Sequence, residues 1–138
     1  MYRKFIASLL LSLTLAATVS AEGNLTLRAL RLEPLLIDAA EGFSEKRYVL
    51  ETGVYYRWRI QGDGRDEYTF VIPELFDNAW LEKVVIEDIE LPISELKEIT
   101  LEGESEVDIY FILVRPGSYN YYVDRLRPEG FEGEFIVR

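Results

Sequence analysis

The sequence predicts an all-β sandwich of about seven or eight strands with one short helix. Three observations predict it. Apolar stretches are short and recur at roughly 8–12-residue spacing. Gly- or Pro-containing turns separate them, and only one stretch carries apolar residues at helical spacing. A first strand-like run holds Leu25, Leu27, Leu30 and Leu32 and ends at Pro34. Arg47–Glu51 is a second, closed by Gly53. In Val54–Ile60, Tyr56, Trp58 and Ile60 fall on one face and Tyr55, Arg57 and Arg59 on the other, as in a half-buried strand. Gln61-Gly62-Asp63-Gly64 forms a turn, and Tyr68–Ile72 is a strand stopped by Pro73.

Pro73 and Glu74 are good first-turn residues, and Phe76, Trp80 and Val84 lie four apart, so the spacing predicts a short helix over Pro73–Val84. After a loop around Pro92, Ile99–Leu101 and Val107–Val114 are strands flanking a hairpin turn at Gly103. Pro116-Gly117 makes a further turn, Tyr119–Val123 a strand, and Phe135–Val137 the closing strand.

Met1–Ala21 is expected to be a leader outside this domain, which then comprises 22–138. Arg3 and Lys4 precede an apolar run from Phe5 to Val19, Val19-Ser20-Ala21 supplies small residues for cleavage, and Glu22-Gly23-Asn24 turns polar. That order is a secretory signal peptide. The apolar run, about 15 residues, falls short of the roughly 20 needed to cross a bilayer. The expected location is a periplasm, with full secretion as the variant.

The chain carries 15 basic and 25 acidic side chains, for a net charge of −10. A surface this negative repels nucleic acid and favours cationic partners, hard cations or simple solubility. There is no His and no Cys, and the single Met is Met1. Copper, zinc, haem iron and iron–sulfur clusters are held by imidazole, thiolate or thioether, which the domain lacks. Carboxylates, carbonyls and Tyr oxygens remain, and they suit calcium, magnesium, manganese or iron. Ser-His-Asp and Cys-His catalysis are excluded for the same reason. No paired acid and base stand out, so the expectation is a protein that is not an enzyme and has no cofactor.

Two groups of charged residues stand out. Tyr55, Arg57, Arg59 and Arg65, with Arg115, Arg125 and Arg127, form a basic and aromatic set in an acidic chain. They are suited either to capturing carboxylates or to pairing with neighbouring Glu. Glu102, Glu104, Glu106 and Asp108 recur every second residue, as do Glu132 and Glu134. On one continuous strand the first four would share a face and hold a hard cation. A turn at Gly103 and Ser105 splays them instead. Glu67 is the remaining candidate for weak hard-cation binding.

The segment Arg115–Arg138, RPGSYNYYVDRLRPEGFEGEFIVR, resembles the copper-loop segment of cupredoxins, of the plastocyanin type. Pro116-Gly117, Tyr119, Tyr121-Tyr122, Gly130, Gly133 and Val137 match that pattern without a gap. Asp66–Phe70 resembles the segment carrying the family's first copper-binding His, two residues before Phe70. Thr52-Gly53 and the strand after it also look familial. The resemblance implies a cupredoxin-like Greek-key β-sandwich. Carried over position by position, Tyr68 stands for the first His, Val123 for the Cys, Leu126 for the second His and Phe131 for the axial Met. With these substitutions, blue copper has no ligands. Val123, Leu126 and Phe131 are apolar and suited to refilling the pocket as plain packing at one end of the sandwich, and an exposed apolar patch is the alternative.

The resemblance further implies that the surface over this loop is where partners dock. Tyr68, Arg125, Leu126, Arg127 and Phe131 are therefore the candidate partner-binding residues of a non-enzymatic interaction module. Its partner would be another exported or membrane protein. The alternative is an accessory protein handling a hard cation, namely iron, manganese or calcium, for a bacterial metal-uptake system.

Overall fold

In a computed structural model, residues 27–138 are described. The leader and Leu25 lie outside the described residues. The strands run in the order β1 (Leu30–Arg31), β2 (Leu35–Asp38), β3 (Gly42–Phe43), β4 (Arg47–Leu50), β5 (Tyr55–Gly62) and β6 (Tyr68–Val71). After a 3₁₀ turn at Phe76–Asn78 come β7 (Ala79–Ile86), β8 (Ile89–Leu91), β9 (Glu98–Leu101), β10 (Glu106–Leu113) and β11 (Gly117–Val123). A second 3₁₀ turn, Asp124–Glu129, leads to β12 (Glu132–Val137).

These strands build two mixed sheets. One has the order β3-β2-β5-β10-β7-β8, with β1 also on β5; the other has the order β4-β12-β11-β6-β9. β1 and β2 both run parallel to β5 along the side away from β10, interrupted at Pro34, which has no N–H for the ladder, and β3 pairs outside β2. β4 runs parallel to β12, while consecutive β11 and β12 are antiparallel.

The alternation read from the sequence sets the core. Tyr56, Trp58 and Ile60 of β5 are buried, and Tyr55, Arg57 and Arg59 form its outer face. Tyr119, Tyr121 and Val123 of β11 and Phe135 and Val137 of β12 point inward from the second sheet. Between the sheets the rings interlock. Trp58 meets Phe135 edge-on at 4.8 Å, Tyr121 lies 5.1 Å from Phe135, and Phe43 stacks on Tyr121 at 5.7 Å. Such pairs each add about 0.5–1.5 kcal/mol beyond area burial. The phenols bring polar tips inward and satisfy them on the backbone. Tyr121 Oη donates to the Glu45 carbonyl at 2.8 Å, and Tyr48 Oη donates to that of Glu33 at 2.9 Å.

Two expectations are corrected. Pro73–Val84 is not a helix: a tight turn passes through Phe76–Asn78 into β7. The residues read as one helical face do not share a side: Phe76 and Val84 are buried, while Trp80 is 44% exposed. β7 pairs Lys83 with Tyr110 but Leu81 with Phe111, so Glu82 is an extra residue at a bulge. The inward residues Leu81 and Val84 therefore fall three apart instead of two. Gly103 does turn the chain, with φ +66°. It does not close a hairpin, because β9 and β10 belong to different sheets.

Candidate functional site

The loop end of the sandwich is built by β6, β11 and the Asp124–Glu129 turn. Tyr122 and Val123 pair with Val71 and Phe70, which sets the end of β11 beside β6. The chain then folds back so that Val123 N–H donates to the Phe131 carbonyl at 3.0 Å. Gly130 ends the turn at φ +88°, a conformation favouring glycine.

Tyr68, Val123 and Phe131 are buried, at 0%, 1% and 5% exposure, and Leu126 is half-buried against the core. Tyr68, Val123 and Phe131 are plain packing, one of the two readings of these positions, and the alternative of an exposed apolar patch is corrected: Tyr68 and Phe131 contribute almost no surface. Phe131 instead packs edge-on to Phe43 at 5.8 Å. Apolar packing at this end avoids a void, which would cost about 24 cal/mol per Å³.

The end is closed by charge pairs. Arg125 donates to Asp66 Oδ2 at 2.9 Å and to the Glu67 carbonyl at 3.2 Å, tying the turn to the chain before β6. Arg127 donates to Glu132 at 2.9 Å and lies 4.3 Å from the Tyr122 ring centre. Both arginines are exposed. The hydrogen bond from Arg125 and the Glu67 N–H hold the Asp66 carboxyl below its ordinary range.

Tyr68 Oη donates to Asp63 Oδ1 at 2.9 Å. Burial, then that hydrogen bond and the Asp63 charge, push the phenol well above its usual range. Burial alone would raise the Asp63 carboxyl as well. The N–H groups of Ala39 and Arg65 and the Tyr68 hydroxyl outweigh it, and the net shift is downward. Asp63 is thus a structural hub joining the β2–β3 turn to β6, a role its place in a turn cluster did not announce. Beside it opens a cleft of about 320 Å³ lined by Asp38, Glu41, Phe43 and Asp63 among others. Its acids serve the backbone: Asp38 Oδ1 accepts the N–H groups of Ala40 and Glu41.

This donor set does not fit copper. Val123, Leu126 and Phe131 have no ligating atom, and the Tyr68 hydroxyl is committed to Asp63. Among the described residues, no three carboxylates converge. Glu102 and Glu104 are exposed on the turn, Glu106 pairs with Arg59 at 3.3 Å, and Asp108 is buried. Glu134 pairs with Arg47, and Glu67 is exposed.

Arg57 and Arg59 come together on the outer face of the first sheet, where β10 brings Asp108 opposite Arg59. Asp108 accepts from Arg57 at 2.5 Å and, bidentately, from Arg59 at 2.9 Å on both oxygens. Burial would raise this carboxyl, but the two guanidiniums more than reverse that and lower it. Their own proton affinity rises through the same bonds. Tyr55 donates to Glu82, and Arg65 and Arg115 stand apart and exposed. The sequence's basic set is therefore not one site.

No family model matches the chain, and no curated protein matches it. Solved structures do. Auracyanin B is similar over 81% of this chain and 91% of its own, at TM-score 0.54 and 13% identity. Reduced auracyanin from Roseiflexus castenholzii is similar over 76% and 94%, at TM-score 0.53 and 15% identity. A multicopper oxidase from Campylobacter jejuni, a metallo-oxidase, is similar over 80% of this chain at TM-score 0.54 and 13% identity; the chain spans 30% of its length. The chain thus has the cupredoxin-like fold, without His or Cys and, among the described residues, without a cluster of His, Cys, Asp or Glu that could hold a metal.

Proposed function

We propose that this protein is an exported, copper-free cupredoxin-like module that binds another exported or membrane protein in the periplasm and catalyses nothing. The observation that carries the reading is the state of the loop end. Three of the four former ligand positions are buried packing, while Arg125 and Arg127 stand exposed on a turn anchored at both sides. Chemistry has gone from this end and a fixed, arginine-bearing surface remains. Arg125, Arg127 and the edge of Leu126 form the contact, and Tyr68 and Phe131 support it from beneath. Arginine is enriched at binding hot spots because its planar fork loses little freedom per hydrogen bond.

The test is site-specific photocrosslinking in exporting cells, with the reactive residue at position 127 or, as control, at exposed Val114. A discrete protein adduct from position 127 that disappears in Arg125→Glu is expected. Equal adducts from both positions, or none from 127, overturn the reading. Stoichiometric iron, manganese or calcium on the purified protein would instead favour handling of a hard cation.

A further inference from the structure

We propose that the notch where β1 meets β5 is a carboxylate-binding site, gripped by Arg31 and Arg57. It is separate from the Asp124–Glu129 turn and stands or falls without it. A pocket of about 140 Å³ opens there, lined by Arg31, Leu32, Pro34, Arg57 and Arg59 and by no acidic residue. In a chain of net charge −10, a concavity whose only charges are three guanidiniums is an outlier.

The register makes it so. Arg31 pairs directly with Arg57 across the parallel β1–β5 ladder, so the two side chains leave the same face as neighbours. Like charges placed opposite each other on a sheet are destabilising unless an anion lies between them. Asp108 serves Arg57 and Arg59, and Arg59 also meets Glu106. Arg31 is exposed and has no ion-pair partner among the described residues. Arg57 spends one terminal nitrogen on Asp108, and the other nitrogens of its fork have no hydrogen-bond partner among the described residues.

The neighbouring triad shows which ligand fits. Asp108 between Arg57 and Arg59 is a carboxylate held by two guanidiniums, and the Arg31–Arg57 pair can repeat that grip for a carboxylate arriving from solvent. Leu32 and Pro34 supply an apolar wall for the carbon chain behind it. The carboxylate is that of a small organic acid or of a peptide C-terminus, and the two sources share this chemistry.

The test follows the arginine Nε–H signals of the full chain by NMR at constant ionic strength. Acetate, a short peptide with a free C-terminus and the same peptide amidated are titrated in turn, with chloride as control. Saturable shifts of Arg31 and Arg57 are expected with acetate or the free-acid peptide, and none with chloride. Binding by the peptide alone assigns a protein terminus, and equal binding by acetate assigns a small acid. Arg31→Gln should weaken binding about tenfold, the loss of one charge-assisted contact. Arg31→Lys, which keeps the charge and loses the fork, should restore only part of it. An unchanged melting temperature would show the fold intact, since Arg31 is exposed at an edge. Shifts matched by chloride, binding equally strong to the amidated peptide, or affinity unaltered in Arg31→Gln would overturn the site.

Discussion

Gly133 should be irreplaceable even by alanine. It faces Tyr121 across the β11–β12 ladder, and the Tyr121 ring lies over the bare α-carbon. A Cβ added at Gly133 would stand 2.3 Å from both Cζ and Oη of Tyr121 and 2.6 Å from Cε2. Carbon contacts are comfortable at about 3.5–4.0 Å, so the ring tip would have to retreat by roughly 1 Å or more. It has nowhere to go. Tyr121 is fully buried, with Trp58 at 5.5 Å, Phe43 at 5.7 Å and Phe135 at 5.1 Å, and its hydroxyl is fixed to the Glu45 carbonyl. Overpacking of this kind costs about 1–3 kcal/mol, and a lost buried hydrogen bond adds about 1. Gly133→Ala should therefore destabilise by about 3 kcal/mol, read as a urea midpoint lowered by roughly 1–3 M. Tyr121→Leu, which removes the opposing ring tip, should make the same change cheaper by about 1–2 kcal/mol in a double-mutant cycle. A loss under about 0.5 kcal/mol, or strictly additive effects of the two changes, would refute the packing argument.

Phe131→Ala should cost about 3–5 kcal/mol, as for a core aromatic; a cost near zero in chemical denaturation would mean that Phe131 belongs to the surface. Asp108→Asn should destabilise by about 2–3 kcal/mol at neutral pH, less than the 3–5 of a fully buried pair because both arginines stay partly hydrated. The Asp108 carboxyl is lowered in the fold, so its contribution is present above the unfolded value of about 3.9 and is lost as pH falls through the folded value. Asp108→Asn should accordingly flatten the acid limb of a stability–pH curve, and an unchanged limb would contradict the assignment. Glu87 and Asp88 turn β7 into β8 with φ of +47° and +66°, a two-residue turn that favours Asn-Gly. Asp88→Gly should raise stability by roughly 0.5–1 kcal/mol in thermal unfolding, and a loss would show that the aspartate holds the turn by other means.

How far the sequence could be read depended on whether its periods were interrupted. β5 is legible because no residue breaks the alternation from Tyr56 to Ile60. β7 is not, because Phe76, Trp80 and Val84 lie four apart by coincidence, while the extra Glu82 interrupts the alternation between Leu81 and Val84. The turn at Gly103 is visible, but that it carries the chain between sheets depends on β9 pairing with β6 and β10 with β5. The loop end is legible. Its positions follow from the motifs in Arg115–Arg138 and Asp66–Phe70, whose apolar replacements point to packing, and the structure buries Tyr68 and Phe131 accordingly. Arg57, Arg59 and Asp108 are each conspicuous in the sequence, and only the β5–β10 register joins them.

The central claim is a cupredoxin-like sandwich whose copper site has been filled with side chains. It is tested most directly by loading the purified protein with copper, desalting it and measuring copper per chain by mass spectrometry. The donor set at Tyr68, Val123, Leu126 and Phe131 predicts no retained copper and an unshifted melting temperature. One copper per chain with a raised melting temperature would contradict it, and would mean that ligands other than imidazole and thiolate hold the metal in this fold.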